Sequence, residues 1–541
     1  PPMRETPVQE APPRSSPTEG EEPLGRRLRR LLIGAPKNLE DRNLFHRLAL
    51  VPLLAWVGLG ADGLSSSAYG PEEAFRTLGG HTFLALPLAV LMAATVFLIS
   101  SAYSRIIEQF PHGGGGYVVA TKLLGERAGV VSGCALLIDY VLTITVSVAA
   151  AGDALFSFLP LEAHTWKLPA EVLLLAGLTT LNLRGVRESV LTLAPIFLLF
   201  VASHVVLILG GIVAHSPALP ATARSIAGGF QGGVSTLGVG GVLLLLLRAY
   251  SLGGGTYTGI EAVSNGLPLM RRPRARTAKR TMVYMATSLA FTATGLLLCY
   301  LLWNVAPVPG KTMNAVLVER LAAPLPGGGV LVVLTLLSEA ALLIVAAQAG
   351  FLDGPRVLAN MAVDSWVPHR FSALSDRLTT QNGILLMGGA SLGALFYTGG
   401  AVGHLVVMYS INVFLTFSLS MLGMTLWRLR NRRRDARWKR RASLFAVGFA
   451  LCATILVSTV VLKFRAGGWV TLLLTGSVVS LCFLIRRHYR VVFAKLARLY
   501  ADLGNLPLVP AEKPGALDPG APTAAVLVGS YGGLGIHTTL N

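Results

Sequence analysis

The stretch that decides the fold reads Gly58-Leu59-Gly60-Ala61-Asp62-Gly63-Leu64-Ser65-Ser66-Ser67-Ala68-Tyr69-Gly70-Pro71-Glu72. It lies at the centre of an apolar run, residues 48–78, that is long enough to cross a bilayer. A carboxylate at mid-membrane costs about 2.5 to 3.5 kcal/mol even on lenient insertion scales. The glycines let the helix unwind, and unwound backbone is tolerated at that depth only where it lines a cavity or is buried. Asp62 beside unpaired carbonyls therefore predicts a cation site, with a buried aspartate that bonds a neighbouring helix as the alternative.

The composition is that of a membrane protein. Of 541 residues, 53% are hydrophobic and only 13% are charged, whereas a soluble domain carries about 25% charged residues. The net charge of +19 therefore requires no nucleic acid partner. The four cysteines all fall in apolar runs, so neither a disulfide framework nor a metal cluster is indicated. No phosphate-binding loop or catalytic triad is apparent, so we expect neither an enzyme nor a bound cofactor.

Twelve segments are long and apolar enough to be membrane spans. The predicted spans, numbered one to twelve, are residues 48–78, 82–109, 126–157, 169–183, 188–214, 238–266, 281–306, 328–351, 381–399, 401–427, 443–463 and 468–487. Because an all-helical chain can satisfy every backbone group within the segment, the predicted fold class is an all-α membrane protein.

Lysine and arginine concentrate in alternate connections between the spans. They precede span one, follow span six at 271–280, fill the run Arg428 to Arg441 and follow span twelve at 486–498. By the positive-inside rule, both termini are predicted to be cytoplasmic. Nucleic acid binding by the run from Arg428 to Arg441 is the rival interpretation, and its position between two spans argues against it.

Span six repeats the unusual pattern of span one. Three successive glycines, Gly253 to Gly255, interrupt it, and Glu261 follows. Paired interrupted spans at corresponding positions of two halves indicate the binding site of a transporter. Span six is the first of a second group of five spans, as span one is of the first, and an odd number of spans per group makes the second group inverted relative to the first. Close packing of helices is another reason for glycine in membranes, but it accounts less well for two matched clusters.

Span three provides further oxygen atoms for a cation. Asp139, Thr143 and Ser147 recur every four residues and so share one helix face. Thr258 and Glu261 likewise share a face after the break in span six. Back-bonding of the two hydroxyl groups of span three to their own helix is the structural alternative. Asp353, by contrast, is predicted to lie in a cytoplasmic loop, and the segment 113–116 is predicted to be a flexible glycine loop.

These residues together resemble the amino acid–polyamine–organocation superfamily of secondary transporters, and most closely its KimA-type potassium–proton symporters. The resemblance covers the chain from about Leu44 onward. Its motifs are Gly60-x-Asp62-x-Leu64-Ser65-Ser66-x-Ala68-Tyr69-Gly70-Pro71-Glu72, Gly113-Gly114-Gly115-x-Tyr117-Val118-Val119-Ala120, Leu137-Ile138-Asp139-Tyr140-Val141-Leu142-Thr143, Thr258-Gly259-x-Glu261-Ala262-x-Ser264-Asn265 and Tyr409-Ser410-x-Asn412-Val413-Phe414.

The resemblance implies a leucine-transporter fold, a five-plus-five inverted repeat with two added C-terminal helices. It also implies proton-coupled potassium uptake across a bacterial inner membrane, with potassium as the substrate. The implied cation-binding residues are Asp62, Tyr69, Asp139, Thr143, Ser147, Thr258 and Tyr409. The implied proton-coupling residue is Glu261, for which a structural hydrogen bond across the break is the alternative.

Four regions follow from the spans and the resemblance. They are a disordered, basic N-terminus (1–44), the ten-helix transport core (45–427), a basic loop with spans eleven and twelve (428–487), and a tail (488–541). In the tail, Ala524 to Val528 and Gly529 to Gly535 look like the first strand and loop of the family's α/β regulatory domain. Because the sequence stops shortly afterwards, we expect that either the sequence is truncated or the domain is vestigial. Regulation by cyclic di-AMP and dimerisation through that domain are therefore not carried over, although a homodimer remains one candidate assembly.

Two other functions compete with potassium uptake. A proton-coupled amino acid or amine permease on the same scaffold is the first, but Asp62 would repel a substrate carboxylate that enters the break of span one. An amine would be attracted instead. A channel or a non-transporting receptor is the second, and paired broken helices around a closed central site argue against it.

Overall fold

The structure is a computed structural model that describes residues 50–504 except 112, 114, 185–188, 376–378 and 435–436. The predicted N-terminal region and the tail segments Ala524 to Val528 and Gly529 to Gly535 lie outside the described residues. Within the described part, regular secondary structure is helical, and the single β-bridge pairs Leu50 with Met270. The prediction of an all-α chain is confirmed.

Each predicted span corresponds to a helix or to two half-helices. In chain order their bounds are Pro52–Ser65 with Gly70–Leu78, Ala85–Gln109, Glu126–Phe156, Lys167–Arg184, Ser189–Ala214, Leu219–Leu252 with Ile260–Asn265, Arg274–Leu302, Gly328–Val363, Gln381–Thr398, Val402–Arg430, Trp438–Leu462 and Gly468–Gly504. Two shorter helices, Gly116–Leu124 and Met313–Ala322, lie in connections. Nine of the described helical stretches are long and apolar enough to cross a membrane unaided. The remaining three spans are the broken span one and the 18-residue spans four and nine.

Two spans extend further than the sequence predicts. The helix of span six begins at Leu219 rather than near residue 238, and it bends at Gly238, where φ is 69°. Span eight continues through Pro355 to Val363. The expectation that Asp353 lies in a loop is therefore wrong, because the proline is accommodated within the helix and Asp353 is only 2% exposed.

The two broken spans lie against each other at the same level. Span one is interrupted by a 3₁₀ turn over Ser66–Ala68 and span six by one over Gly253–Tyr257. The Ser66 hydroxyl donates to the Thr256 carbonyl oxygen at 2.9 Å, from one break to the other. At the far end, the backbone N–H of Leu50 donates to the carbonyl of Leu269 at 2.9 Å. The start of span one thus meets the end of span six, and the two run antiparallel.

The other spans enclose this pair and shield its backbone from lipid. Span three is buried on nearly every face and packs against spans eight and ten. By contrast, the outward faces of spans eleven and twelve expose large apolar side chains, among them Val457, Val461, Leu473 and Leu484. Such exposure suits contact with lipid tails, while irregular backbone remains inside protein.

Gly259 brings the backbone of span six into close contact with the backbone of span one. Its φ of 75° lies in the left-handed region, and a Cβ added there would lie 2.3 Å from the Gly63 nitrogen. We expect Gly259→Ala to lower the free energy of unfolding by about 2 to 4 kcal/mol, because it combines backbone strain with overpacking. Titration with dodecyl sulfate measures this. Gly240→Ala is the control, since no atom lies within 4 Å of a Cβ there. Equal unfolding midpoints for the two variants would contradict the close contact.

Candidate cation site

The predicted cation ligands lie at or around the two breaks. Asp62 lies in the last turn of the first half of span one, which ends at Ser65. Tyr69 precedes the second half, and Thr258 follows the 3₁₀ turn of span six in an extended conformation. The remaining predicted ligands lie on span three and on span ten. All seven are buried: Asp62 5%, Tyr69 4%, Asp139 9%, Thr143 2%, Ser147 1%, Thr258 2% and Tyr409 0% exposed.

The structure brings five of these side chains into one electrostatic cluster. Tyr409 interacts with Tyr69 and Thr258 as well as with both carboxylates, Asp62 and Asp139. The two carboxylates also interact with each other. Because like charges in a buried site repel, a cation between them would relieve both the repulsion and the lost hydration.

Thr143 and Ser147 lie one and two turns beyond Asp139 on span three, on the face that the four-residue spacing predicts. The Ser147 oxygen makes no hydrogen bond within the described part of the chain. For Ser147, back-bonding to its own helix is therefore not what the structure shows.

Three of the predicted ligand oxygens lack a hydrogen-bond partner among the described residues. They are Asp139 Oδ1, Ser147 Oγ and Tyr409 Oη, and each is shielded from solvent. Leaving a buried polar atom unpaired costs about 1 to 3 kcal/mol, so such atoms call for a functional explanation. Oxygen atoms that replace a hydration shell are what a dehydrated potassium ion requires. The cluster of hydroxyl and carboxylate oxygens can therefore hold a monovalent cation.

The carbonyls of the break in span one are less available than the sequence suggests. The hydroxyls of Ser65 and Ser67 donate to the carbonyl oxygens three residues earlier, at 2.8 and 2.6 Å. The single hydrogen of the Ser66 hydroxyl is shared between the carbonyl oxygens of Gly63, at 2.5 Å, and Thr256, at 2.9 Å. The expectation of unpaired carbonyls is wrong for the three carbonyls of span one, although each keeps a second lone pair. The unpartnered oxygens of the site belong to side chains instead.

Glu261 lies beside the cation cluster and is 6% exposed. One carboxylate oxygen accepts a hydrogen bond from the backbone N–H of Gly116, and the other accepts one from the Tyr103 hydroxyl at 3.3 Å. No lysine or arginine forms an ion pair with it among the described residues. Glu261 also interacts electrostatically with Asp139, so its charge can influence the cation cluster.

The glycine segment before span three has a role that the sequence analysis missed. Gly115 and Gly116 begin a helix against span six, rather than a free loop. A Cβ on Gly115 would lie 1.7 Å from Asn265 Oδ1, and one on Gly116 would lie 3.1 Å from Glu261 Oε1. Glycine is needed here for close backbone approach. The signal was the apolar helical pattern that starts directly at Tyr117.

Asp353 is a second residue that the sequence analysis missed. It lies 3.4 Å from Arg356 within span eight, and it interacts electrostatically with Asp62 and Glu261. The sequence analysis placed the end of span eight before Asp353, because a proline two residues later ordinarily marks a helix end. A third intramembrane carboxylate therefore belongs to the surroundings of the site.

A vestibule of about 750 Å³ connects the site with one membrane face. Tyr69, a predicted cation ligand, lies in its wall, together with Glu72 and Glu339. Its rim is formed by the connections after spans three, seven and nine, including Lys167, Lys311 and His404. These connections lie opposite the arginine-rich ones, so the vestibule opens on the face away from the basic segments.

Twelve helical spans with two half-helix pairs around a buried polar cluster define a multi-pass membrane transporter with the leucine-transporter fold. The model of the amino acid permease family matches residues 59–481. The chain therefore belongs to the amino acid permease family, within the amino acid–polyamine–organocation superfamily, as its motifs predicted. It is a transporter and not an enzyme.

A curated relative and two solved structures resemble the chain. The potassium transporter KimA of Bacillus subtilis (strain 168) is 32% identical over 474 residues, which cover 87% of this chain and 75% of that protein. A mutant of the Eremococcus coleocola manganese transporter is 14% identical, with a TM-score of 0.46 over 84% of this chain and 98% of that one. A Na⁺-coupled sialic acid symporter in its substrate-bound outward-open state is 11% identical, with a TM-score of 0.44 over 78% and 91%.

Removing either central charge tests the site. We expect Asp62→Asn and Asp139→Asn each to weaken potassium binding at least about 30-fold, or about 2 kcal/mol, because a buried cation then loses a charged partner. Isothermal titration of the detergent-solubilised protein measures this. Thr145→Val on span three is the control, since its hydroxyl bonds the Val141 and Ser391 carbonyls. Binding in either asparagine variant as tight as in the control would refute the site.

Proposed function

We propose that the protein takes up potassium ions by alternating access, coupled to proton entry, across a bacterial plasma membrane with both termini in the cytoplasm. The observation that carries the proposal is the pair of buried carboxylates, Asp62 and Asp139, beside the hydroxyls of Ser147 and Tyr409. Asp139 Oδ1 and both hydroxyl oxygens have no hydrogen-bond partner among the described residues. The potassium transporter KimA, 32% identical to this chain, supports potassium as the substrate.

The charge of the cluster favours a cation over an amino acid. An amino acid brings its own carboxylate, which would meet Asp62 at the break of span one. Potassium brings one positive charge and needs only oxygen ligands, which the hydroxyls of Tyr69, Thr258 and Tyr409 can supply. An amine remains the alternative, because it too would be attracted by two carboxylates.

Glu261 is proposed as the proton carrier and not as an ion ligand. Its two hydrogen-bond donors, the Gly116 N–H and the Tyr103 hydroxyl, partly offset the cost of keeping a charge in this low-dielectric region. A proton would remove that charge. Glu261 lies on the second half-helix of span six. Movement of this half-helix during the transport cycle would therefore change the distances from Glu261 to both hydrogen-bond donors.

A growth test separates potassium from amine transport. In a bacterium without its own potassium uptake systems, we expect the protein to restore growth at low potassium, because the site removes the hydration shell of this ion. Membrane insertion is checked with a tagged chain, and Asp139→Asn is the inactive control. Absence of growth with the protein present in the membrane would favour the amine alternative.

Glu261→Gln separates coupling from binding. We expect this variant to bind potassium with unchanged affinity but to lose accumulation driven by a proton gradient, since glutamine cannot carry a proton. Uptake of labelled rubidium into proteoliposomes with an imposed pH gradient measures this. Tyr103→Phe is the matched control, because it removes one hydrogen bond to Glu261 and leaves the carboxyl. If Glu261→Gln still accumulates rubidium and a protonophore abolishes that accumulation, Glu261 is not the coupling group.

A further inference from the structure

A histidine and a glutamate form a buried pair in the membrane-embedded part of the chain, apart from the cation cluster. His204 on span five is fully buried and Glu339 on span eight is 1% exposed. His204 Nε2 lies 3.7 Å from Glu339 Oε2 and has no hydrogen-bond partner in the described structure. Titratable residues inside a membrane are rare and usually functional.

The hydrogen bonds of the imidazole indicate which of its two nitrogens carries the hydrogen when His204 is neutral. His204 Nδ1 lies 3.0 Å from the carbonyl oxygen of Phe200 and 3.3 Å from the Ser203 hydroxyl, which can accept as well as donate. Because a carbonyl can only accept, Nδ1 carries a hydrogen and donates it. In a neutral His204, Nε2 is then a bare lone pair that faces a carboxylate oxygen. Two acceptors oppose each other across this gap, and one proton between them would satisfy both.

The pair is connected to the vestibule and to the break of span one. Glu339 forms part of the vestibule wall, so a proton can reach it from water. Asn314 Nδ2 lies 3.0 Å from Glu339 Oε2 and 3.5 Å from the carbonyl oxygen of Ala68, next to Tyr69. A single amide group therefore bridges Glu339 and the backbone beside a predicted cation ligand.

Few other charged or titratable groups face the pair. Glu72 on span one interacts electrostatically with Glu339, and Arg76 neutralises Glu72 at 2.7 Å. From span seven, Tyr300 faces Glu339, and its hydroxyl donates to Asn314 Oδ1. No lysine or arginine forms an ion pair with Glu339 among the described residues. A proton on His204 would therefore give this carboxylate a cationic partner, which the lysines and arginines of the described residues do not provide as an ion pair.

We propose that His204 and Glu339 form a proton-binding site that is loaded from the vestibule, separate from Glu261. One proton enters from vestibule water, binds to Nε2 or to Oε2, which lie 3.7 Å apart, and leaves by the same route or onward during the cycle. When the proton leaves, Glu339 is a carboxylate that accepts the hydrogen bond from Asn314 Nδ2 more strongly. The contact of the same amide group with the Ala68 carbonyl oxygen would then change. This inference deepens the proposed proton coupling and rests on it for its place in transport.

Transport assays test whether the pair senses the vestibule side. Histidine changes charge between about pH 5 and 8, so we vary the pH outside proteoliposomes from about 6 to 8 at constant internal pH. In the wild type, acidification should accelerate rubidium uptake. In Glu339→Gln and His204→Gln, the ratio of the rubidium uptake rate at an external pH of about 6 to that at about 8 should fall toward one. The affinity for potassium should stay unchanged. Leu337→Ala, a change to an exposed apolar side chain on span eight, should keep the wild-type ratio.

Nuclear magnetic resonance tests proton binding without transport. In ¹⁵N-histidine-labelled protein, the His204 Nε2 signal, assigned by its loss in His204→Gln, should move from a bare to a protonated position on acidification. Glu339→Gln should shift that titration. No movement of the signal between about pH 5 and 8 would overturn the proposal. The proposal would also be overturned if Glu339→Gln kept the wild-type ratio of uptake rates at the two external pH values while Glu261→Gln had lost proton coupling. If the wild type shows no proton-driven uptake, the proposed coupling fails, and the Nε2 titration still decides proton binding.

Discussion

The structure depends on keeping two unwound stretches of backbone away from lipid at the same depth. Spans one and six achieve this by lying against each other, with the Ser66 hydroxyl bonded to the Thr256 carbonyl and Gly259 almost touching Gly63. Spans three, eight and ten enclose the pair. Because the helices stop here, the side chains that follow each break point into the same interior. The cation cluster, the vestibule and the surrounding carboxylates all follow from this one constraint.

The chain carries buried carboxylates on both sides of the cation cluster, and each has different partners. Asp62 and Asp139 share the cluster itself. Glu339 lies toward the vestibule beside His204, whereas Glu261 contacts the helix Gly116–Leu124, which is in the connection on the arginine-rich side. A proton that loads near Glu339 and leaves near Glu261 would follow the same direction as the proposed potassium ion. The breaks, which both proposed proton sites adjoin, are the elements that would couple the two movements.

The sequence predicts the spans, the two breaks and the composition of the cluster, because apolar runs, glycines and intramembrane carboxylates are local signals. It misplaces Asp353, since Pro355 imitates a helix end that tertiary packing overrides. It misses the glycine contact with Glu261 and the pairing of His204 with Glu339, because these join residues that only the packing of distant helices brings together. The serine hydroxyls that bond the carbonyls of the break are missed for a different reason, because these bonds depend on the geometry of the local turn.

The central claim is that one potassium ion binds between Asp62 and Asp139. Crystals grown with thallium, a heavy substitute for potassium, test it most directly through the anomalous scattering of the ion. We expect one anomalous peak in contact with Asp139 Oδ1, Ser147 Oγ and Tyr409 Oη, and its disappearance when excess potassium competes. A peak elsewhere in the protein, or none at this cluster at saturating thallium, would contradict the assignment of the site.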